Sequence, residues 1–345
     1  MVTAPKVNEK VEWLKCRMSL LYYLSNYVLI QDRIRQEVVP WQAWGHLCQL
    51  VELIQVWADR EVREPLFIII FKSRQVGAST TITGIGNWLA GFYQSTKVIM
   101  QSQRAREAAE MLDRARFINE HLPTYLRMKI LPNQDDIMGY PGTNGQIRSL
   151  PSTEEAGRST DATMVVCDEW DFHFSDEEKE RDAFASIKPT MTKGGIFIGV
   201  STIDKTRKNS LPQQIYLEAC KGMNSFIPLF WDYFVVPGRT EETWQRDTMG
   251  LPDFRKEAEY PRNEKEAFSP PKRIGFFNHD TLEKMLMECR DPVEVRYGGL
   301  ARIFVPSITT RRFILVIDPS EGQADPSVGI VADIKTGEDV AYFNG

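Results

Sequence analysis

Three stretches of the sequence bring together residue types that can handle phosphate. The first, "FKSRQVGAST" (residues 71–80), follows an apolar run and leads into a segment compatible with a helix. That strand–loop–helix setting is what a phosphate-binding loop, Gly-x-x-x-x-Gly-Lys-[Ser/Thr], requires, because backbone N–H groups and a helix N-terminus together hold anions. Here Gly77 and Ser79 are kept, Lys72 stands in the place of the first glycine, and Ala78 stands in that of the lysine. The candidate loop is therefore Lys72, Ser73, Arg74, Gln75, Val76, Gly77, Ala78, Ser79 and Thr80. Its missing charge need not come from position 78, since Lys72 and Arg74 flank the loop and a long basic side chain can reach the same volume. Ser79 would offer its hydroxyl to Mg²⁺. The second stretch, "MVVCDEWDF", is an apolar run ending in adjacent acids, Asp168 and Glu169. An acid at the end of a buried strand beside such a loop can order Mg²⁺, and a neighbouring glutamate can polarise the attacking water. The third, "GGIFIGVSTID", ends in Ser201 and Thr202, hydroxyls suited to bonding the γ-phosphate or the lytic water and reporting hydrolysis. Taken singly, these stretches also read as an ordinary strand-to-helix turn, a solvated strand end and a strand terminus. Together, in this order, they describe a nucleotide hydrolase core.

The elements that must position them follow from the pattern. Apolar runs at 66–71, 97–100, 146–150, 164–167 and 196–200 read as strands, with helix-compatible stretches such as 104–120 between several of them. Strands alternating with helices imply an α/β fold with a mostly parallel sheet covered on both faces. Up to about residue 60 the apolar spacing is helical, with Pro40 as a divider, and Ser175 with Glu178 reads as a capping box. Between about 225 and 310, prolines and aromatics are frequent and the elements look short. From Arg311, "RRFILVIDPSEGQADPSVGIVADIKTGEDVAYF" reads as two strands joined by a polar turn and a third after "KTGED". The expected division is 1–60 helical, 61–225 core, 226–310 linker or lid, and 311–345 the start of a further unit.

Composition bounds the rest. The chain has 345 residues, 42% of them hydrophobic and 26% charged, as expected of a soluble globular protein with ample core. No apolar run is long enough to span a bilayer and the N-terminus lacks a secretory pattern. Five scattered cysteines without a CxxC argue for a reducing cytosol, and four histidines without an HxxxH pair argue against a zinc hydrolase. A net charge of −5 excludes a general polyanion binder, so any nucleic-acid contact needs a local basic patch.

With these residues in hand, the chain resembles the large terminase subunit of tailed bacteriophages, the motor that packages DNA into preformed capsids. "KSRQVGAS" looks like that family's variant Walker A loop with an early lysine, "VVCDE" like its Walker B strand and "VST" like its coupling motif. The resemblance implies a P-loop NTPase core of the ASCE/RecA-like kind, ATP and Mg²⁺ as cofactors, and Lys72 on the phosphates. It further implies Arg74 acting within its own subunit, Glu169 as the catalytic glutamate, and Ser79 with Asp168 on Mg²⁺. "PWQAWGHL" is similar to the family's adenine-recognising segment, pointing to Gln42, and Arg158 lies where an arginine finger could act on a neighbouring subunit. Lys205, Arg207 and Lys208, just after the coupling motif, are the candidate DNA contacts. The segment from 311 resembles the first strands of the family's RNase H-like nuclease domain, incomplete here, with Asp318 as the first metal ligand; a strand pair without its sheet should be poorly ordered, and nuclease activity is not expected of this chain. Double-stranded DNA, a portal protein, a small terminase subunit and a ring, commonly pentameric, are the implied partners. The implied location is the host bacterial cytoplasm and, transiently, the procapsid portal. The rivals are another DNA helicase or translocase of this broad fold, and a non-catalytic assembly module with a degenerate site.

Overall fold

The computed structural model describes residues 8–32, 36–152, 161–191, 193–207, 210–270, 279–306, 310–320 and 327–344. It divides into two compact units, Met1–Pro271 and Lys272–Gly345. The first opens with helices α1 (Glu9–Met18) and α2 (Leu20–Tyr27), then an antiparallel pair, β1 (Leu29–Asp32) and β2 (Glu37–Pro40), and helix α3 (Gly45–Ala58). The strand pair interrupts what the sequence suggested was all helix; β-branched residues around Pro40 favour extended backbone there.

The centre of this unit is an eight-stranded sheet. In chain order its elements are β3 (Leu66–Lys72), α4 (Ala78–Phe92), β4 (Lys97–Ser102), α5 (Ala105–Glu120), β5 (Asn133–Gln134), β6 (Ile137–Tyr140), β7 (Gly145–Pro151), β8 (Met164–Asp168), α6 (Glu177–Met191), β9 (Ile196–Ser201), α7 (Leu211–Cys220) and β10 (Phe226–Trp231). The spatial order is β10-β3-β9-β8-β4-β7-β6-β5, parallel from β10 to β7 and antiparallel beyond. All five strands read from the sequence are present. β3 shows why: Ile68 and Ile70 join one buried cluster with α2–α5, while Phe67, Ile69 and Phe71 join a second cluster on the opposite face. A strand buried on both faces must be apolar throughout, which makes it legible as an uninterrupted run. Three short helices, α8 (Glu241–Asp247), α9 (Asp253–Glu259) and α10 (Glu264–Phe268), complete the unit.

Two local readings are corrected. Helix α6 is capped by Asp176, whose carboxylate accepts from the N–H groups of Glu178 and Lys179 at 2.8 and 3.3 Å, rather than by Ser175. The main sheet also extends past residue 225, because Phe226–Trp231 is its edge strand, paired parallel with β3.

In the second unit, α11 (His279–Glu288) precedes β11 (Glu294–Arg296), β12 (Ala301–Ile303), β13 (Phe313–Asp318), β14 (Val328–Asp333) and β15 (Asp339–Asn344). These strands form an antiparallel sheet in the order β11-β12-β15-β14-β13, so the expected strand pair is part of a five-stranded sheet. Among the described residues no helix is long and apolar enough to cross a membrane.

Strand order decides where the chemistry gathers. β9 lies between β3 and β8, with Phe71 opposite Ser201 and Val200 opposite Asp168. Lys72, Ser201 and Asp168 therefore end three neighbouring parallel strands on the same, carboxyl edge of the sheet, where open α/β sheets bind ligands.

Candidate functional site

The loop after β3 is held from outside. The Ser73 N–H donates to Trp231 O at 2.7 Å and the Arg74 N–H to Glu259 O at 2.8 Å. Arg239 donates to Gln75 O at 3.0 Å and Arg74 O at 3.4 Å, its guanidinium lying 4.4 Å over the Tyr233 ring. His46 Nε2 lies 2.8 Å from Val76 O, and Trp41 Nε1 donates to Thr81 Oγ1 at 2.9 Å. Gly77 closes the turn at φ 80°, a backbone conformation that favours glycine, and a Cβ there would press closely on Leu47 at 3.1 Å and Trp44 at 3.4 Å. With those carbonyls tied outward, the N–H groups of residues 75–80 donate to no protein acceptor among the described residues. They face a cavity of about 170 Å³ lined by Lys72, residues 75–80 and Arg114. Unbonded amides at the start of the fifteen-residue helix α4 form an anion-binding nest.

The acids meet this nest from β8. Asp168 lies 3.3 and 3.4 Å from Ser79 Oγ, which donates to it. Burial, and then the Glu169 charge, push the Asp168 carboxyl up to about 6, against the pull of Lys72 and Arg114. Hydroxyl and carboxylate oxygens facing each other across a phosphate nest are the hard donors Mg²⁺ prefers, so the residues present fit that ion. Glu169 sits at φ 53°, a left-handed conformation that turns its side chain back over the sheet edge. One carboxylate oxygen accepts from Lys72 Nζ at 3.0 Å; the other accepts from the Thr202 N–H at 3.1 Å, Thr202 Oγ1 at 3.2 Å and Ser201 Oγ at 3.5 Å. Burial would raise its pKa, but Lys72 by charge and hydrogen bond, helped by Thr202, holds it below the usual glutamate value. Lys72, Ser79, Asp168, Glu169, Ser201 and Thr202 are thus brought together as the sequence reading required.

Other assigned residues lie elsewhere. Arg74 is half-exposed and paired with Glu259 at 3.1 Å, outside the cavity lining. Gln42 is exposed, and its amide donates to Pro40 O at 3.0 Å, while its neighbour Trp41 bonds Thr81 in the first turn of α4. Lys205 is not a DNA contact of the expected kind: its ammonium is buried, donating to Glu257 at 2.6 Å and to Glu266 O at 2.7 Å. Arg207 is likewise spent internally on Glu180 at 2.7 Å. A cation whose charge is matched inside the fold has little left to offer a phosphate backbone. Arg158 and Lys208 lie outside the described residues. Asp318 ends β13 exposed, and among the described residues no cluster of metal-ligating side chains gathers there.

The sequence reading missed Arg114, Arg239 and Asp171. Asp171, wholly buried two residues beyond Glu169, accepts from Gln213 Nε2 at 2.8 Å, the Asp204 N–H at 2.7 Å and Ser210 Oγ, while its own N–H donates to Ser201 Oγ at 3.2 Å. The available signal was a third acid in "DEWD", which read as part of a solvated strand end. Nothing local marks the two arginines, because the loop they serve is distant in sequence.

No family model matches the chain, and no curated protein does. Among solved structures, the large terminase of bacteriophage HK97 superposes with a TM-score of 0.50 at 14% identity, covering 94% of this chain and 66% of that one. The large terminase of a thermophilic bacteriophage gives 0.50 at 10% identity, covering 88% of this chain and 69% of that one. The fold is that of the bacteriophage large terminases. This chain spans about two thirds of the length of those two terminases.

Proposed function

We propose that this chain hydrolyses ATP with Mg²⁺ and uses the energy to move double-stranded DNA into a viral procapsid. What carries the reading is the chain of contacts from Lys72 through Glu169 to Thr202 at the mouth of the anion nest. The β- and γ-phosphates lie on the N–H groups of residues 75–80, where the α4 N-terminus favours negative charge. Ser79 and Asp168 would hold Mg²⁺, which when bound offsets the charge on the phosphates. Without nucleotide Lys72 is neutralised by Glu169; phosphate oxygens compete for that ammonium and release one carboxylate oxygen. Glu169, freed of its cation, becomes the stronger base and can orient water and accept its proton. The second carboxylate oxygen stays on Thr202 and Ser201, so a shift of Glu169 is passed to the segment after β9 and on to Asp171.

The further elements rest on the fold shared with the large terminases: a portal and a small terminase subunit as partners, a pentameric ring on the procapsid portal, and the host bacterial cytoplasm as location. Arg158 as a trans-acting finger and Asp318 as a nuclease ligand belong to the same proposal. The test is displacement of a third strand from triplex DNA by the chain with ATP and Mg²⁺. Displacement by the wild type and none by Lys72→Ala is the expected result. Separation of the duplex itself would instead make the chain a helicase, and ATP-independent binding without displacement would leave an assembly module.

A further inference from the structure

One cation beside the loop has no use in the mechanism above. Arg114 lies on α5, half-buried, and makes no hydrogen bond, ion pair or ring contact with the described residues. Lys72, the other cation lining the loop cavity, is matched by Glu169. Even the nearest acids on its own helix are engaged elsewhere, Asp113 with Arg116 at 2.7 Å and Glu110 with Arg106 at 3.8 Å. A guanidinium half-withdrawn from water without an anion loses hydration and gains nothing, so the position is favourable only when an anion is brought to it. Arg114 is close enough to the catalytic edge for its charge to act on Asp168.

The cavities give the direction. Arg114 and Thr80 line the phosphate-loop cavity, and the same two residues line a second chamber of about 400 Å³. Leu29 and Ile30 of β1 and Phe117 of α5 give that chamber apolar walls, with the carboxylates of Glu110 and Asp113 among them. Apolar walls with a few polar groups suit a nucleoside, and the smaller cavity with its amides suits the phosphates. We propose that Arg114 binds the phosphate chain of the nucleotide within its own subunit, and that the nucleoside lies beyond it in the chamber between β1 and α5. The planar fork of a guanidinium takes two phosphate oxygens at once, which a lysine cannot do. This inference rests on the nucleotide reading above.

Calorimetric titration of the whole chain with Mg·ATP, comparing wild type, Arg114→Ala and Arg114→Lys, tests the arginine. Arg114→Ala should bind ATP about tenfold or more weakly, and Arg114→Lys should recover part of the loss. The unfolding temperature without ligand should be unchanged in both, which a merely structural role would not give. Photolabelling with 8-azido-ATP tests the chamber, and label is expected on peptides carrying β1 or α5. Wild type and Arg114→Ala binding ATP equally well would remove the arginine while leaving the nucleotide site intact. Label on residues 41–45 instead would overturn the placement of the nucleoside. If the wild type bound no ATP, the nucleotide reading itself would fail and this inference with it.

Discussion

Glu169 occupies a backbone region that is unfavourable for a residue with a Cβ, and its φ of 53° is stabilised by what its carboxylate reaches. Lys72 on one side and Thr202 on the other fix it at the mouth of the nest. Lys72→Ala removes the cation that offsets phosphate charge, and ATP turnover should fall by roughly two to three orders of magnitude, read as phosphate release. Lys205 has the opposite kind of role. Its side chain is only 2% exposed and that of its partner Glu257 only 14%, so Lys205→Ala strands a buried carboxylate. Chemical denaturation should show a loss of about 3 kcal/mol or more, with the salt dependence of DNA binding unchanged. The pair explains why Lys205 was misread: a run of basic residues is visible locally, whereas Glu257 lies 52 positions away.

Strand order is the device that assembles the site. Inserting β9 between β3 and β8 brings hydroxyls between the loop and the acids, and the packing leaves no slack there. A Cβ on Gly199 of β9 would come within 2.2 Å of the Trp170 ring, next to Glu169. Gly199→Ala should therefore cost roughly 1–3 kcal/mol in denaturant unfolding and lower turnover by displacing Trp170 and Glu169. The segment after β9 is tied to the acid strand through buried Asp171, whose carboxyl burial pushes up to about 6. Folding thus disfavours its charged form: the stabilising contribution is complete below the ordinary value of 3.8, and is lost as pH rises through about 6. Between pH 7 and 5 the wild type should gain about 1 kcal/mol relative to Asp171→Asn, measured as the change in their difference in unfolding free energy. The strands and the loop were legible because a doubly buried strand is an unbroken apolar run and a phosphate loop is a local pattern. The supports supplied by Arg239, His46 and Glu259 were not, since each depends on packing between segments far apart in the chain.

At the scale of the molecule, the unit Met1–Pro271 contains every residue assigned above to the nucleotide, from Leu29 to Glu259. A fragment of residues 1–271 should fold cooperatively and bind Mg·ATP as the whole chain does; an unfolded fragment by circular dichroism would refute this. The terminase fold was reachable from sequence through three short motifs, while the overall identity to HK97 terminase is only 14%. Those motifs sit on the ends of the neighbouring strands β3, β9 and β8. The most direct test of the central claim is ATP turnover with Mg²⁺ by the wild type and by Glu169→Gln, with ATP binding measured alongside. The account predicts steady hydrolysis by the wild type and a loss of about a hundredfold or more in the variant, with ATP still bound. Equal turnover by the two, or a wild type that binds no ATP, would contradict it.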